Sequence, residues 1–239
     1  CSSDLPIITR IVEPAQMGKF TMFNTYVTIC ASLLYFGLNE ALMRFYFDCK
    51  SDNDKRSLLK LCFLVPVITA IFVSLFAFYL YYKRIVIIDF NAFEFLFLCL
   101  CILFTVWERM SNEMLQNTFN SKKYSMALIA KKAIYSIGSI LLLSVFRNNH
   151  LTILVLTTTL SVFVSAFIGT ASTRSFWHFS DVRFPENIKE IVSYSLPMYV
   201  YFAIYSLFDS VDKLLMDNLC SEAEVGIYGM AFSLVGVYS

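Results

Sequence analysis

What most constrains this chain is a series of long apolar runs, at roughly 20–43, 58–82, 86–107, 127–146, 151–171 and 191–208, with a seventh opening at about Val225. Each is long enough to cross a hydrocarbon layer about 30 Å thick as a helix. Lipid offers no water to the backbone N–H and C=O groups, so segments of this kind must satisfy them internally as helices. A composition of 58% hydrophobic, 17% aromatic and 15% charged residues, with a mean hydropathy of +0.64, lies outside the range of soluble domains. The expected fold class is all-α: a polytopic helical membrane bundle with short loops. The net charge is +1 and no basic patch is interleaved with aromatics, so no nucleic-acid partner is expected.

Residues 1–19 read as the end of one helix and a turn, punctuated by Pro6, Arg10, Glu13, Pro14 and Gly18. With no initiator Met, and with Ser239 inside an apolar run, the sequence reads as a fragment from the end of helix 1 to the start of helix 8. Lys and Arg sort into alternating connections. One set holds Arg44, Lys50, Lys55, Arg56, Lys60, Arg109, Lys122, Lys123, Lys131, Lys132, Arg174, Arg183 and Lys189. The other holds Arg10, Lys19, Lys83, Arg84, Arg147 and Lys213, and thirteen against six places the first set in the cytoplasm. The polar stretch 172–190 then reads as a cytoplasmic linker between an N-terminal lobe, 1–171, and the start of a C-terminal lobe, 191–239. The seven cysteines fall mostly inside apolar runs and read as small buried hydrophobes.

Charges within apolar runs are the candidates for function. Glu40, Arg44 and Asp48 lie at i, i+4 and i+8, on one stripe of a helix. An Arg at the centre of a membrane helix costs about 2.5–3.5 kcal/mol to insert. Arg44 is either an anchor snorkelling to the headgroups or a cavity cation held by Glu40 and Asp48 for an anionic ligand. The same spacing recurs in Asp209, Lys213 and Asp217, with Asp212 to one side, on a run that contains Pro197, which is expected to bend or break it. Glu108, Arg109 and Glu113 follow Trp107 and read as an interface. His150 and His178 read as solvated loop residues, since neither has a partner at metal-ligand spacing. No Ser/His/Asp pairing and no phosphate-cradling Gly loop occurs, so no enzymatic activity is expected.

An offset of 208 residues lays Ser2 on Ser210, Asp4 on Asp212, Ala15 on Ala223, Gly18 on Gly226, Met22 on Met230 and Val27 on Val235. The offset spans six helices, an even number, so both copies would cross the membrane in the same direction. Two-lobed transporters built from parallel repeats have this arrangement.

TRIVEPAQMGKF, GLNEALMRFYFD, YSLPMYV and DSVDKLLMDNLCSEAEVGIYG resemble segments of the bacterial polysaccharide flippases, relatives of the multidrug and toxin extruders and of the peptidoglycan lipid flippases. Asn39 and Glu40 stand where that family often has Pro and Ser, and Lys213 where it commonly has Arg. The resemblance implies a two-lobed extruder-like fold in which Gly18, Gly37, Pro197 and Gly226 are structural positions. It implies alternating-access export of a polyprenyl-pyrophosphate-linked oligosaccharide across the bacterial inner membrane, for lipopolysaccharide or capsule. Arg44, Lys213, Glu40, Asp209 and Asp212 would be the cavity charges, with Arg44 and Lys213 acting in turn from opposite ends. No cofactor is expected, and the coupling ion, H+ or Na+, is left open. The implied partners are membrane lipid, the lipid-linked oligosaccharide and other polysaccharide assembly proteins. One alternative is an ion-coupled exporter of small cationic compounds with Asp209, Asp212 and Glu40 as ion sites. Another is a membrane-embedded glycan polymerase or transferase, which would call for a loop longer than the roughly 20 residues found here.

Overall fold

The first apolar run is not one straight helix. In the computed structural model, which describes residues 11–84, 90–145, 149–177 and 184–235, it divides into α1 (Pro14–Leu34) and α2 (Leu38–Tyr46), bent by 52°. Phe36 and Gly37 have φ of 51° and 67°, the left-handed region that ends a helical ladder. Gly37 is there for two reasons. It adopts that φ without strain, and a Cβ on it would stand 2.4 Å from the main-chain oxygen of Ser195 on a neighbouring helix.

The remaining elements are α3 (Asp52–Tyr82), α4 (Ala92–Asn117), α5 (Ser121–Val145), α6 (His150–Ser172), a 3-10 turn (Arg174–Phe176), α7 (Ile188–Leu219) and α8 (Glu222–Val235). Among the described residues there is no strand, as the apolar runs require. α3, α5, α6, α7 and the bent pair α1–α2 are long and apolar enough to cross a membrane, which makes this a multi-pass membrane protein. α4, at 26 residues, is longer than α5 and α6 but carries Glu94, Glu108, Arg109 and Glu113. It forms the middle of the bundle, packed on α6, α3, α1 and α2.

Local chemistry places the starts. Ser51 opens α3 by accepting from the Asp54 N–H while the Asp54 carboxylate accepts from the Ser51 N–H, each at 3.1 Å. Glu94 reaches back in the same way to the Asn91 N–H at 2.9 Å. α7 continues through Pro197 without a break, so of the bend or break expected there the break does not occur. A proline removes one ladder hydrogen bond, and the turns on either side retain theirs. The part of the linker at 178–183, with His178 and Arg183, and the segment 1–10 lie outside the described residues.

Helices joined by short connections alternate in direction, so the bundle has an end where α1 starts and α3 stops, called upper here, and a lower end where α2 stops and α3 starts. By the Lys and Arg distribution the lower end is the one expected in the cytoplasm. Two buried apolar clusters fill the bundle, one around Phe23, Leu98, Leu154 and Val155 in the upper part, the other around Leu42, Leu59, Met114 and Ile191 at the lower end. Phe72, Leu75 and Phe76 on α3, Ile129 and Leu141 on α5, and Tyr201, Tyr205 and Phe208 on α7 are exposed large apolar side chains. That belt suits lipid and would be a liability in water.

The N-terminal helices meet the C-terminal ones along α1, α7 and α8. A Cβ on Gly18 would lie 2.0 Å from the Glu222 main-chain oxygen, and one on Gly226 would lie 2.1 Å from that of Pro14. The offset of 208 residues pairs Gly18 with Gly226 and Pro14 with Glu222, so the two contacts are each other's image. A Cβ on Gly229 would meet Thr21 Oγ1 at 2.3 Å, and Thr21 is its own counterpart at that offset. Contacts of this reciprocal kind arise where two like surfaces face each other across a two-fold axis.

Candidate functional site

Below the Gly18–Gly226 crossing the seam forms a half-open cavity of about 160 Å³. α1 contributes Thr21, Asn24, Thr25 and Thr28; α7 contributes Asp209, Ser210 and Lys213; α8 contributes Gly229, Phe232 and Ser233. The offset that pairs the glycines also pairs Thr21 with Gly229, Asn24 with Phe232 and Thr25 with Ser233, so the cavity straddles the seam. Thr21, Thr25 and Thr28 donate their hydroxyls to main-chain oxygens four residues back, at 2.8–2.9 Å. Each hydroxyl oxygen then faces the cavity as an acceptor.

Lys213 supplies the positive charge. Its Nζ stands 3.9 Å above the centre of the Phe232 ring and donates to the Asp209 main-chain oxygen at 3.3 Å. Among the described residues no carboxylate lies within ion-pair distance of it. The expected ladder with Asp209 therefore runs through a main-chain oxygen. Asp212 turns away to accept from the Tyr228 hydroxyl on α8 and from the Lys213 N–H at 2.8 Å, bracing the α7–α8 hairpin.

At the lower end the expected stripe divides. Arg44, with 59% of its side chain exposed, pairs with Asp48 at 3.3 Å. Glu40 turns to the other side of α2, accepting from Asn39 Nδ2 at 2.9 Å and lying 4.0 Å from Arg109. α2 ends at Tyr46, so Asp48 hangs past the last turn while Glu40 sits in the first turn against α4. Arg44 and Lys213 are at opposite ends of the bundle.

Glu108 and Glu113 are buried between helices, while Arg109 is half-exposed. α4 continues to Asn117, which draws these charges into the bundle, and Glu108 and Glu113 are 4% and 1% exposed. Glu113 accepts from Arg109 Nε at 2.8 Å, and Glu108 from Lys131 of α5 at 2.7 Å. Trp107 donates its indole N–H to Thr170 of α6 at 2.8 Å. The available signal was their spacing: Glu113 lies four residues beyond Arg109, an intrahelical pair, and the polar residues Ser111, Asn112 and Asn117 surround it. His150 also differs from the solvated loop residue expected. It opens α6, and both ring nitrogens are shielded from solvent without a hydrogen-bond partner among the described residues.

The cysteines behave as small apolar residues: Cys62, Cys99 and Cys101 are buried, and every described cysteine is free. No described group of three or more His, Cys, Asp or Glu could hold a metal ion. No curated protein and no solved structure matches the chain. Residues 4–239, nearly the whole sequence, match a family described as polysaccharide biosynthesis protein, and a multi-pass helical bundle with a charged seam is in keeping with it. The chain belongs to the polysaccharide biosynthesis protein family.

Proposed function

We propose that this chain is part of an alternating-access flippase that exports a polyprenyl-pyrophosphate-linked oligosaccharide across the bacterial inner membrane, without covalent chemistry. The observation that carries the reading is the seam cavity. A polar space in an apolar bundle, walled by hydroxyl acceptors and holding an ammonium with no described carboxylate within ion-pair distance, suits sugar hydroxyls and a phosphate charge. At about 160 Å³ it has room for about five waters, so an oligosaccharide requires the seam to open. The lipid tail remains in the bilayer, and Arg44 and Lys213 meet the diphosphate in turn at the two ends. The reciprocal Gly18–Gly226 contacts support two lobes that rock about that seam.

The test measures lipid-linked oligosaccharide on the cytoplasmic face of cells carrying each variant at equal membrane abundance. Lys213→Ala should cause accumulation there, and Lys213→Arg should be tolerated because the charge is kept. Wild-type export by Lys213→Ala would refute the cavity role. An ion-coupled exporter of small cationic compounds is favoured by one observation, the excess of carboxylates around Arg109. Extrusion of a cationic dye with no effect on lipid-linked oligosaccharide would select it.

A further inference from the structure

The charges around Arg109 do not balance. Glu113 is 1% exposed; one of its oxygens takes Arg109 Nε at 2.8 Å and the other, Oε2, has no partner among the described residues. Glu40 reaches the same guanidinium only at 4.0 Å. The other ionisable groups close by do not supply the missing cation. Glu108 is held by Lys131, which comes from α5, and Tyr35, just past the end of α1, is a phenol whose hydroxyl donates to the Thr105 carbonyl at 3.5 Å. Arg109 pairs with Glu113 at 2.8 Å and lies 4.0 Å from Glu40. From α6 the neighbour is Thr170, bonded to Trp107 and Ser111. Two carboxylates inside a membrane protein thus share one guanidinium, an arrangement whose desolvation cost calls for a second positive charge.

A proton fits that role better than a metal ion. The guanidinium occupies the near side of Glu113, and no described set of residues offers three metal ligands. Asn39 points the same way independently: it is 3% exposed, its amide N–H₂ holds Glu40, and the Oδ1 of that same amide has no donor. A protonated carboxyl would add an O–H donor to a cluster in which Glu113 Oε2 and Asn39 Oδ1 have none among the described residues.

We infer that Glu113 and Glu40 share one exchangeable proton across Arg109, and that its binding and release move α2 on the hinge at Phe36–Gly37. This rests on the export reading above and names its coupling ion. When Glu113 takes a proton from water, Arg109 loses its nearest anion and closes on Glu40, the first-turn residue of α2, drawing that helix toward α4. When the proton returns to water, Glu113 recaptures the guanidinium and α2 is released. The O–H bond on the carboxyl is the one bond made and broken, and the half-exposed Arg109 side of the cluster is its route to water. A proton entering in this way offsets the outward movement of a charged lipid.

The test is infrared difference spectroscopy of the purified full-length protein in lipid nanodiscs, stepping from acid to alkaline pH in sodium-free buffer and again with sodium. The wild type should show a buried carboxylic-acid band that is lost on alkalinisation and is insensitive to sodium. Glu113→Gln and Glu40→Gln should each abolish it, because each leaves one carboxylate for one guanidinium. A wild type without the band overturns the inference, even if neither variant folds. So does a band that persists in either variant, or one displaced by sodium. Export is followed separately in cells. Normal, pH-independent export by Glu113→Gln sinks the coupling and spares the flippase. The expected band in a protein that moves no lipid-linked oligosaccharide sinks the flippase and leaves the proton site standing.

Discussion

Gly18→Ala tests the seam directly. The added methyl would stand 2.0 Å from the Glu222 main-chain oxygen, 2.9 Å from the Glu222 carbonyl carbon and 3.2 Å from the Gly226 nitrogen. All three are main-chain atoms, so no rotamer change relieves the clash. α1 and α8 must part by about 1.4 Å locally to restore ordinary contact. Overpacking of this kind costs about 1–3 kcal/mol, and helices in lipid have little hydrophobic attraction to make up for it. For a chain of this length that corresponds to a fall in Tm of about 2–12 °C. Gly226→Ala, which would meet the Pro14 oxygen at 2.1 Å, should cost as much. The double variant should cost less than the two singles together, since the helices separate only once. Gly138→Ala is the control, because its methyl would meet Thr157 Cγ2 at an ordinary 3.4 Å, and it should be near neutral. The assay is thermal unfolding in nanodiscs, together with thiol labelling of Thr25→Cys, a buried position in the seam cavity. Gly18→Ala should make that cysteine reactive from the upper side. An unchanged Tm with an unlabelled Thr25→Cys would refute the close crossing.

Arg44→Lys should lower export several-fold and Arg44→Ala should abolish it, because a point charge replaces a bidentate fork and is then lost altogether. The exposed Arg44–Asp48 pair contributes only about 0.2–1 kcal/mol, so abundance should hardly change; wild-type export by Arg44→Ala would leave Arg44 as an anchor. An impermeant maleimide applied to spheroplasts should label the exposed Cys220 and spare Cys49, and the reverse would overturn the orientation. In opened membranes Cys49 should still react slowly at neutral pH and speed up as pH rises. Burial first, and Asp54 next, push its thiol above the usual range, leaving less thiolate at a given pH.

Much of this protein was legible in its sequence because a bilayer admits few solutions. Apolar runs of membrane length have to be helices, and the fold class followed from that alone. The pairing of Gly18 with Gly226 was also written in the sequence, as an offset between identical residues. That the two lie against each other was not: an offset says which positions are alike, and only packing says where the copies meet. The same limit applied to the charges. Periodicity put Glu40, Arg44 and Asp48 on one stripe, but the left-handed turn at Phe36–Gly37 started a new helix, and its rotation sent Glu40 to Arg109 and Arg44 outward. Glu108, Arg109 and Glu113 looked like the polar end of an apolar run, since hydropathy measures composition along a segment and cannot see its neighbours. Burial depends on what surrounds a helix on every side, and α4 carries its charges into the middle of the bundle because α1, α2, α3 and α6 close around it.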